Sequence, residues 1–230
     1  MTDNKPGSNS LKAYISESRL VSAFELALGA AIVIGYNVFK VIPNEVPILF
    51  VLGLLSVRLR NGGWAAMGLS RPKSWTRVVL IALAAAVLRI VLGEVLDNLI
   101  TARIWPPAIA PEGANEITGN LMVALKWLLV VWTFAAFGEE IAYRGYLLTR
   151  AADLGNRSRA AWWVGMIFVS ILFGIGHYYK GPAGMIDSGF AGLVLGTAYL
   201  ISGRNLWVCI LAHGFIDTIG VAALYFGLAS

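Results

Sequence analysis

Long apolar runs separated by short polar connections dominate the sequence. A helix needs about 20 residues to cross a hydrocarbon core of roughly 30 Å, and most of the runs approach or exceed that length. The pattern predicts an all-α, polytopic membrane bundle of seven transmembrane helices. An eighth follows if residues 104–117 form a short or re-entrant helix. The predicted spans are residues 20–39, 43–57, 77–100, 119–143, 160–177, 188–202 and 205–227.

The composition also indicates that the helices lie in a lipid bilayer. Of the 230 residues, 58% are hydrophobic and 13% are charged, whereas a soluble domain carries roughly a quarter charged residues. Too little polar surface remains to cover a water-soluble globule. The size fits a single transmembrane helical domain over residues 19–230, preceded by a flexible polar tail over residues 1–18. With one cysteine, Cys209, the chain can form no internal disulfide.

Basic residues gather in alternate connections between the runs. The positive-inside rule then places the tail and the N-terminus in the cytoplasm and the C-terminus outside. This distribution accounts for the net charge of +5 without a nucleic-acid partner. The basic-rich side carries Lys5, Lys12, Arg19, Arg58, Arg60, Arg71, Lys73, Arg77, Arg144, Arg150, Arg157, Arg159 and Arg204, and the other side carries Lys40, Arg103 and Lys180.

Two adjacent glutamates, Glu139 and Glu140, lie near the end of the fourth run. Charge inside a membrane span is costly, so each instance needs a reason. On a helix, Glu140 and Arg144 are four residues apart on one face and can pair, while Glu139 points about 100° away. Two interpretations remain open at this point: Glu139 is free to accept a proton, or both carboxylates are interfacial and are held by Arg144 and solvent.

The two histidines of the chain, His177 and His213, also lie in or at the end of apolar runs, and Asp217 shares a helical face with His213. A single histidine on an apolar helix is more often a packing residue than a catalyst. Two histidines together with paired carboxylates favour acid–base chemistry or metal ligation. Glu25, in the first run, has no partner at helical spacing and is expected to face a cavity.

Three motifs in order resemble those of one protease family: Glu139-Glu140-x-x-x-Arg144, Phe173-x-x-x-His177 and His213-x-x-x-Asp217. They resemble the CAAX-processing and bacteriocin-processing (CPBP or Abi) family, which includes the Ras-converting prenyl-protein endopeptidase. The likeness covers about residues 121–218 and implies a catalytic core over about residues 119–227. It implies a helical-bundle intramembrane endopeptidase with a conical, water-filled cavity.

The resemblance also implies a role for each motif residue. Glu139 would activate the attacking water, and Glu140 with Arg144 would support the site. His177 and His213 would position the water or stabilise the oxyanion. The eukaryotic enzymes commonly carry an Asn at the position of Asp217, and an ionised Asp cannot donate a hydrogen bond as that amide does. We therefore expect Asp217 to orient or charge His213, or to bind a metal.

Glu139, His177, His213 and Asp217 would make a plausible zinc set, but the HExxH spacing of common zinc proteases is absent. The expectation is water activation without an obligatory metal or other cofactor. The depth of the histidines poses a problem, because His177 lies about 27 Å along its predicted span and His213 about 14 Å along its own. Both must reach one depth to share a site.

The predicted protein is thus an integral membrane endopeptidase, placed by its short loops in a prokaryotic cytoplasmic membrane. Its partners are the bilayer and a membrane-anchored, lipidated or hydrophobic-tailed protein or peptide. One alternative is a non-catalytic immunity or scaffold protein, whose function would survive mutation of the motif residues. Another is a proton-coupled transporter, which the lack of internal repeats and of a discontinuous helix pair disfavours.

Overall fold

A computed structural model describes residues 18–60, 62–110 and 112–228, so all but the last residue of the predicted polar tail lies outside the described residues. Every regular element among the described residues is helical, which confirms the all-α prediction. Seven main helices follow one another: α1 (Arg19–Asn37), α2 (Glu45–Leu59), α3 (Trp75–Ile104), α4 (Leu121–Leu154), α5 (Arg159–Ile175), α6 (Gly181–Ile201) and α7 (Leu206–Tyr225).

Five of these helices are long and apolar enough to cross a membrane: α1, α3, α4, α7, and α6 together with the turn before it. Helices α2 and α5, with 15 and 17 residues, are shorter. In the connection where an eighth helix would lie, residues 105–110 and 112–117 contain a single 3₁₀ turn, Ala114–Glu116. The described part of that connection therefore does not form the eighth helix.

Polar caps set where most of the helices begin. A Ser or Asn side chain accepts a hydrogen bond from a backbone N–H of the first turn, which otherwise has no partner inside the helix. Six of the seven main helices start in this way. The capping residues are Ser18, Asn44, Ser74, Asn120, Ser158 and Asn205.

Helix α6 begins at Gly181, with Pro182 in its first turn, rather than at the predicted residue 188. The prediction therefore left Asp187 in the connection before the span. In the structure Asp187 accepts a hydrogen bond from Arg89 of α3 at 2.6 Å. An ion pair between neighbouring helices lets a charged residue continue an apolar helix.

Helices α5 and α6 pack closely through glycines. A Cβ atom on Gly192 would lie 3.0 Å from the Cβ of Ser170, and one on Gly174 would lie 2.7 Å from the backbone oxygen of Met185. Small residues allow helix backbones to approach each other where lipid supplies no hydrophobic drive. This contact brings the end of α5 against α6 and fixes the position of Phe173.

Glu25 has partners on other helices, although none was available at helical spacing within its own run. It accepts hydrogen bonds from Ser56 at 2.6 Å and from Arg60 at 3.1 Å. These partners come from α2 and the residue after it, which is why spacing within α1 could not reveal them. We call the group formed by Glu25, Arg60, Arg150, Asp153 and Arg157 the arginine cluster; it lies where α1, α2 and α4 meet at the predicted cytoplasmic end.

Candidate active site

A cavity of about 780 Å³ reaches into the bundle from the end that carries the α1–α2, α3–α4 and α5–α6 connections. Its polar residues include all four that the sequence singles out as catalytic: Glu139, His177, His213 and Asp217. Apolar residues of α4 and α7 form part of its wall. The residues predicted to act together therefore face one shared space.

The helix that carries the glutamates is wound unusually. Residues Val131–Glu139 and Ile141–Leu147 are π-helical. Such turns are rare and occur frequently at functional sites. Glu139 is half-buried and lines the cavity, whereas Glu140 is fully buried. The pattern of apolar and polar residues did not predict this winding.

Glu140 binds two groups behind the cavity wall. Its Oε1 atom accepts a hydrogen bond from Arg144 at 2.8 Å and lies 2.8 Å from Nδ1 of His213. The spacing of Glu140 and Arg144 predicted the first contact. The second joins residues of α4 and α7, so periodicity within a helix could not predict it.

Arg144 is itself fixed on several sides. Its guanidinium lies over the ring of Phe173, 4.6 Å from the ring centroid, and donates to the backbone oxygen of Gly192 at 3.3 Å. An arginine that stacks on a ring and forms an ion pair is held in one orientation. Arg144 thereby connects α4, α5 and α6 around Glu140.

Glu139 differs from its neighbour in hydrogen bonding. Its Oε2 atom is buried and has no hydrogen-bond partner among the described residues. Buried polar atoms in folded proteins nearly always have a partner, so an exception calls for an explanation. A free carboxylate oxygen beside a cavity is an acceptor available to water or to a ligand.

His177 lies two residues beyond the end of α5, and its Nδ1 atom is 2.8 Å from the backbone oxygen of Phe173. A carbonyl oxygen can only accept, so Nδ1 carries the proton of this hydrogen bond. In the neutral ring, Nε2 is then an acceptor. The rings of His177 and His213 lie 4.8 Å and 6.2 Å from that of Phe173, so the two histidines reach the same site.

His213 lies between two carboxylates. Nδ1 faces Glu140, as described, and Nε2 is 3.4 Å from Oδ2 of Asp217, four residues further along α7. This is the arrangement expected if Asp217 orients the ring, although 3.4 Å is long for a hydrogen bond. The imidazole is held between α4 and its own helix.

Tyr143 and Glu45 also line the cavity and were not among the predicted site residues. Tyr143 packs edge-on against Phe173, with ring centroids 5.0 Å apart. Glu45, the first residue of α2, has a buried Oε2 atom without a hydrogen-bond partner among the described residues. Tyr143 lies inside the first motif, and Glu45 follows a helix-capping Asn44 with nothing in its spacing to connect it to the site.

The side chains proposed as zinc ligands do not form a ready ligand set. Among the described residues, no three His, Cys, Asp or Glu side chains are placed so that they could hold one metal ion. Glu139, His177, His213 and Asp217 share the cavity, yet both nitrogens of His213 already face carboxylates. These four side chains therefore do not fit a common metal site.

A helical membrane bundle that gathers carboxylates with unpartnered oxygens and two imidazoles around a cavity has the parts that an intramembrane hydrolase needs. Residues 121–219 match the family model for type II CAAX prenyl endopeptidases, Rce1-like. This match confirms the resemblance predicted from the motifs and supports a CAAX-protease type of membrane enzyme. The segment runs from the start of α4 into α7 and leaves α1 to α3 outside. No curated protein and no solved structure matches the chain.

Proposed function

We propose that this protein is an intramembrane endopeptidase in which Glu139 activates the water that hydrolyses a peptide bond. The substrate is a membrane-anchored protein or peptide with a lipidated or hydrophobic tail. Short connections favour a prokaryotic cytoplasmic membrane as its location. One observation carries the proposal: a buried carboxylate oxygen of Glu139 without a partner lines the same cavity as His177, His213 and Asp217.

The reaction needs a base, and we assign it to Glu139, which lies in the matched segment together with both histidines, rather than to Glu45, which lies outside that segment. The free oxygen of Glu139 accepts a proton from a water molecule while the water oxygen attacks the scissile carbonyl carbon. The protonated Glu139 then gives the proton to the leaving amine nitrogen as the peptide bond breaks. One water is consumed, and a carboxylic acid and an amine are formed.

The histidines have different hydrogen-bonding abilities in this scheme. Nε2 of neutral His177 can accept a hydrogen bond from the attacking water, because Nδ1 is committed to Phe173. His213, held between Glu140 and Asp217, is the ring better suited to carry protons on both nitrogens. It can therefore supply positive charge close to the developing oxyanion.

The test compares purified wild type with Glu139→Gln on a panel of membrane-anchored peptides, with products identified by mass spectrometry. We expect the substitution to lower kcat by about 10²- to 10⁴-fold, the usual contribution of a general base. Glu116→Gln makes the same chemical change at an exposed position outside the cavity lining and should retain full activity. Equal cleavage by wild type and Glu139→Gln would exclude this role for Glu139.

A chelation arm tests the expectation that no metal is required. Wild type is dialysed against a strong chelator and assayed with and without added zinc. We expect activity to persist after chelation. Complete loss with recovery on adding zinc would replace water activation by Glu139 alone with a metal-dependent mechanism.

A further inference from the structure

The cavity opens at one end of the bundle and reaches inward past the middle of α4, as far as Glu139 and Tyr143. Its lining comes from the end of α1 and the start of α2, from the α3–α4 and α5–α6 connections, from the middle of α3, from α4 as far as Tyr143, from the end of α5, from α6 as far as Leu195, and from α7 from His213 onward. Lys40 and Glu112, at its edge, are exposed. Because consecutive helices run in opposite directions, the α1–α2, α3–α4 and α5–α6 connections lie at the same end of the bundle, and the cavity opens at that end.

The opposite end, which we call the closed end, has a separate pocket at the arginine cluster that shares no lining residue with the catalytic cavity. Every residue from Glu140 to Ala152 is buried, so α4 fills the centre of the bundle beyond the catalytic glutamates. Further along, the arginine cluster ties α1, α2 and α4 together: Arg60 lies 3.1 Å from Glu25, and Arg150 lies 3.2 Å from Asp153. A peptide cannot reach Glu139 from this side without separating those helices.

The two ends differ in charge as well as in access. The closed end holds most of the basic residues, and the open end carries few. By the positive-inside rule the closed end is cytoplasmic. The basic residues of the closed end and its flanking turns are Arg19, Arg58, Arg60, Arg71, Lys73, Arg77, Arg150, Arg157, Arg159 and Arg204, against Lys40, Arg103, Lys126 and Lys180 at or near the open end.

We infer that the catalytic cavity opens to the non-cytoplasmic face of the membrane. The kind of substrate in this inference rests on the proposed function. The orientation of the cavity rests only on the geometry and the charge distribution. The substrates are then membrane-anchored peptides whose scissile segment emerges on the outer side, as in an exported precursor. A tail that stays in the cytoplasm would meet the closed, basic end.

Accessibility labelling tests the orientation directly. Glu116→Cys places a thiol at an exposed site of the open end, and Lys73→Cys places one at an exposed site of the closed end. The native Cys209 is fully buried, so the wild type gives the background. We expect a membrane-impermeant maleimide to label Glu116→Cys in intact cells and Lys73→Cys only after permeabilisation. The reverse pattern, or labelling of both in intact cells, would overturn the inference.

A substrate arm connects the orientation to the reaction. A membrane-impermeant peptide with a single acyl anchor is added to right-side-out and to inside-out vesicles of wild type and Glu139→Gln. We expect cleavage in right-side-out vesicles of wild type and its loss in the other three samples. Cleavage confined to inside-out vesicles would contradict the outward opening. Outward labelling of Glu116→Cys without cleavage of any peptide would leave the orientation standing and count against the peptidase.

Discussion

The cavity site and the arginine cluster both bury charge in the bundle, yet their carboxylate oxygens differ in whether they have partners. In the arginine cluster each oxygen has a partner: Glu25 binds Ser56 and Arg60, and Asp153 accepts from Arg157 at 2.6 Å and from Ser22 at 3.1 Å. Beside the cavity, one oxygen of Glu139 and one of Glu140 have no partner among the described residues.

This difference separates charge that holds the fold from charge that is available for chemistry. A buried ion pair contributes little net stability, but removing one partner leaves the other uncompensated. A buried acceptor without a partner contributes nothing to the fold and persists where a reaction or a ligand requires it. The same substitution, Glu to Gln, should therefore lower stability but not activity in the arginine cluster, and activity but not stability at Glu139.

Glu25→Gln is the strongest way to test the comparison. Three arginines would then face the single carboxylate of Asp153, and we expect the free energy of unfolding to fall by about 3 to 5 kcal/mol. Activity per folded molecule should stay at the wild-type level, because Glu25 does not line the cavity. Unfolding in mixed micelles, followed by circular dichroism, measures the first quantity, and the peptide assay measures the second.

Glu139→Gln is the matched control, since it makes the same change at the other site. It should unfold like the wild type while losing activity. If Glu25→Gln instead unfolded like the wild type and lost activity, the division between a structural and a reactive cluster would be wrong.

The sequence predicted much of this contrast, but only within single helices. The Glu140–Arg144 pair follows from four-residue spacing, and both histidines and Asp217 were singled out by being polar in apolar runs. The matched family segment covers the same residues. These signals depend on residues that are close together in the sequence, so they do not require knowledge of how the helices pack.

Contacts between helices were out of reach of such signals. Glu25 had no partner at helical spacing because Arg60 lies on another element. The predicted span began only after Asp187, because its partner Arg89 lies 98 positions away in the sequence. The contact of Glu140 with His213 and the π-helical winding of α4 belong to the same group. Each depends on packing that one-dimensional periodicity does not encode.

Asp217→Asn tests the weaker of the two contacts of His213. The amide keeps the size of the side chain but removes the negative charge that faces Nε2 at 3.4 Å. We expect kcat to fall by about tenfold to a hundredfold, the range for an outer partner that orients a histidine, with KM and the unfolding free energy unchanged. Asp217→Glu, which keeps the charge, should recover part of the loss. A fully active Asn variant would remove Asp217 from the site.

Arg157→Gln should have the smallest effect, although its bond to Asp153 is among the shortest in the arginine cluster at 2.6 Å. The side chain of Arg157 is 50% exposed, so water and salt screen the pair; such surface pairs contribute at most about 1 kcal/mol. Asp153 also keeps Ser22 and Arg150 as partners. We expect a loss of unfolding free energy below about 1 kcal/mol that shrinks further at high salt. A loss as large as that of Glu25→Gln would mean that the cluster acts as one cooperative unit. The burial of a single residue would then not determine how much that residue contributes to the unfolding free energy.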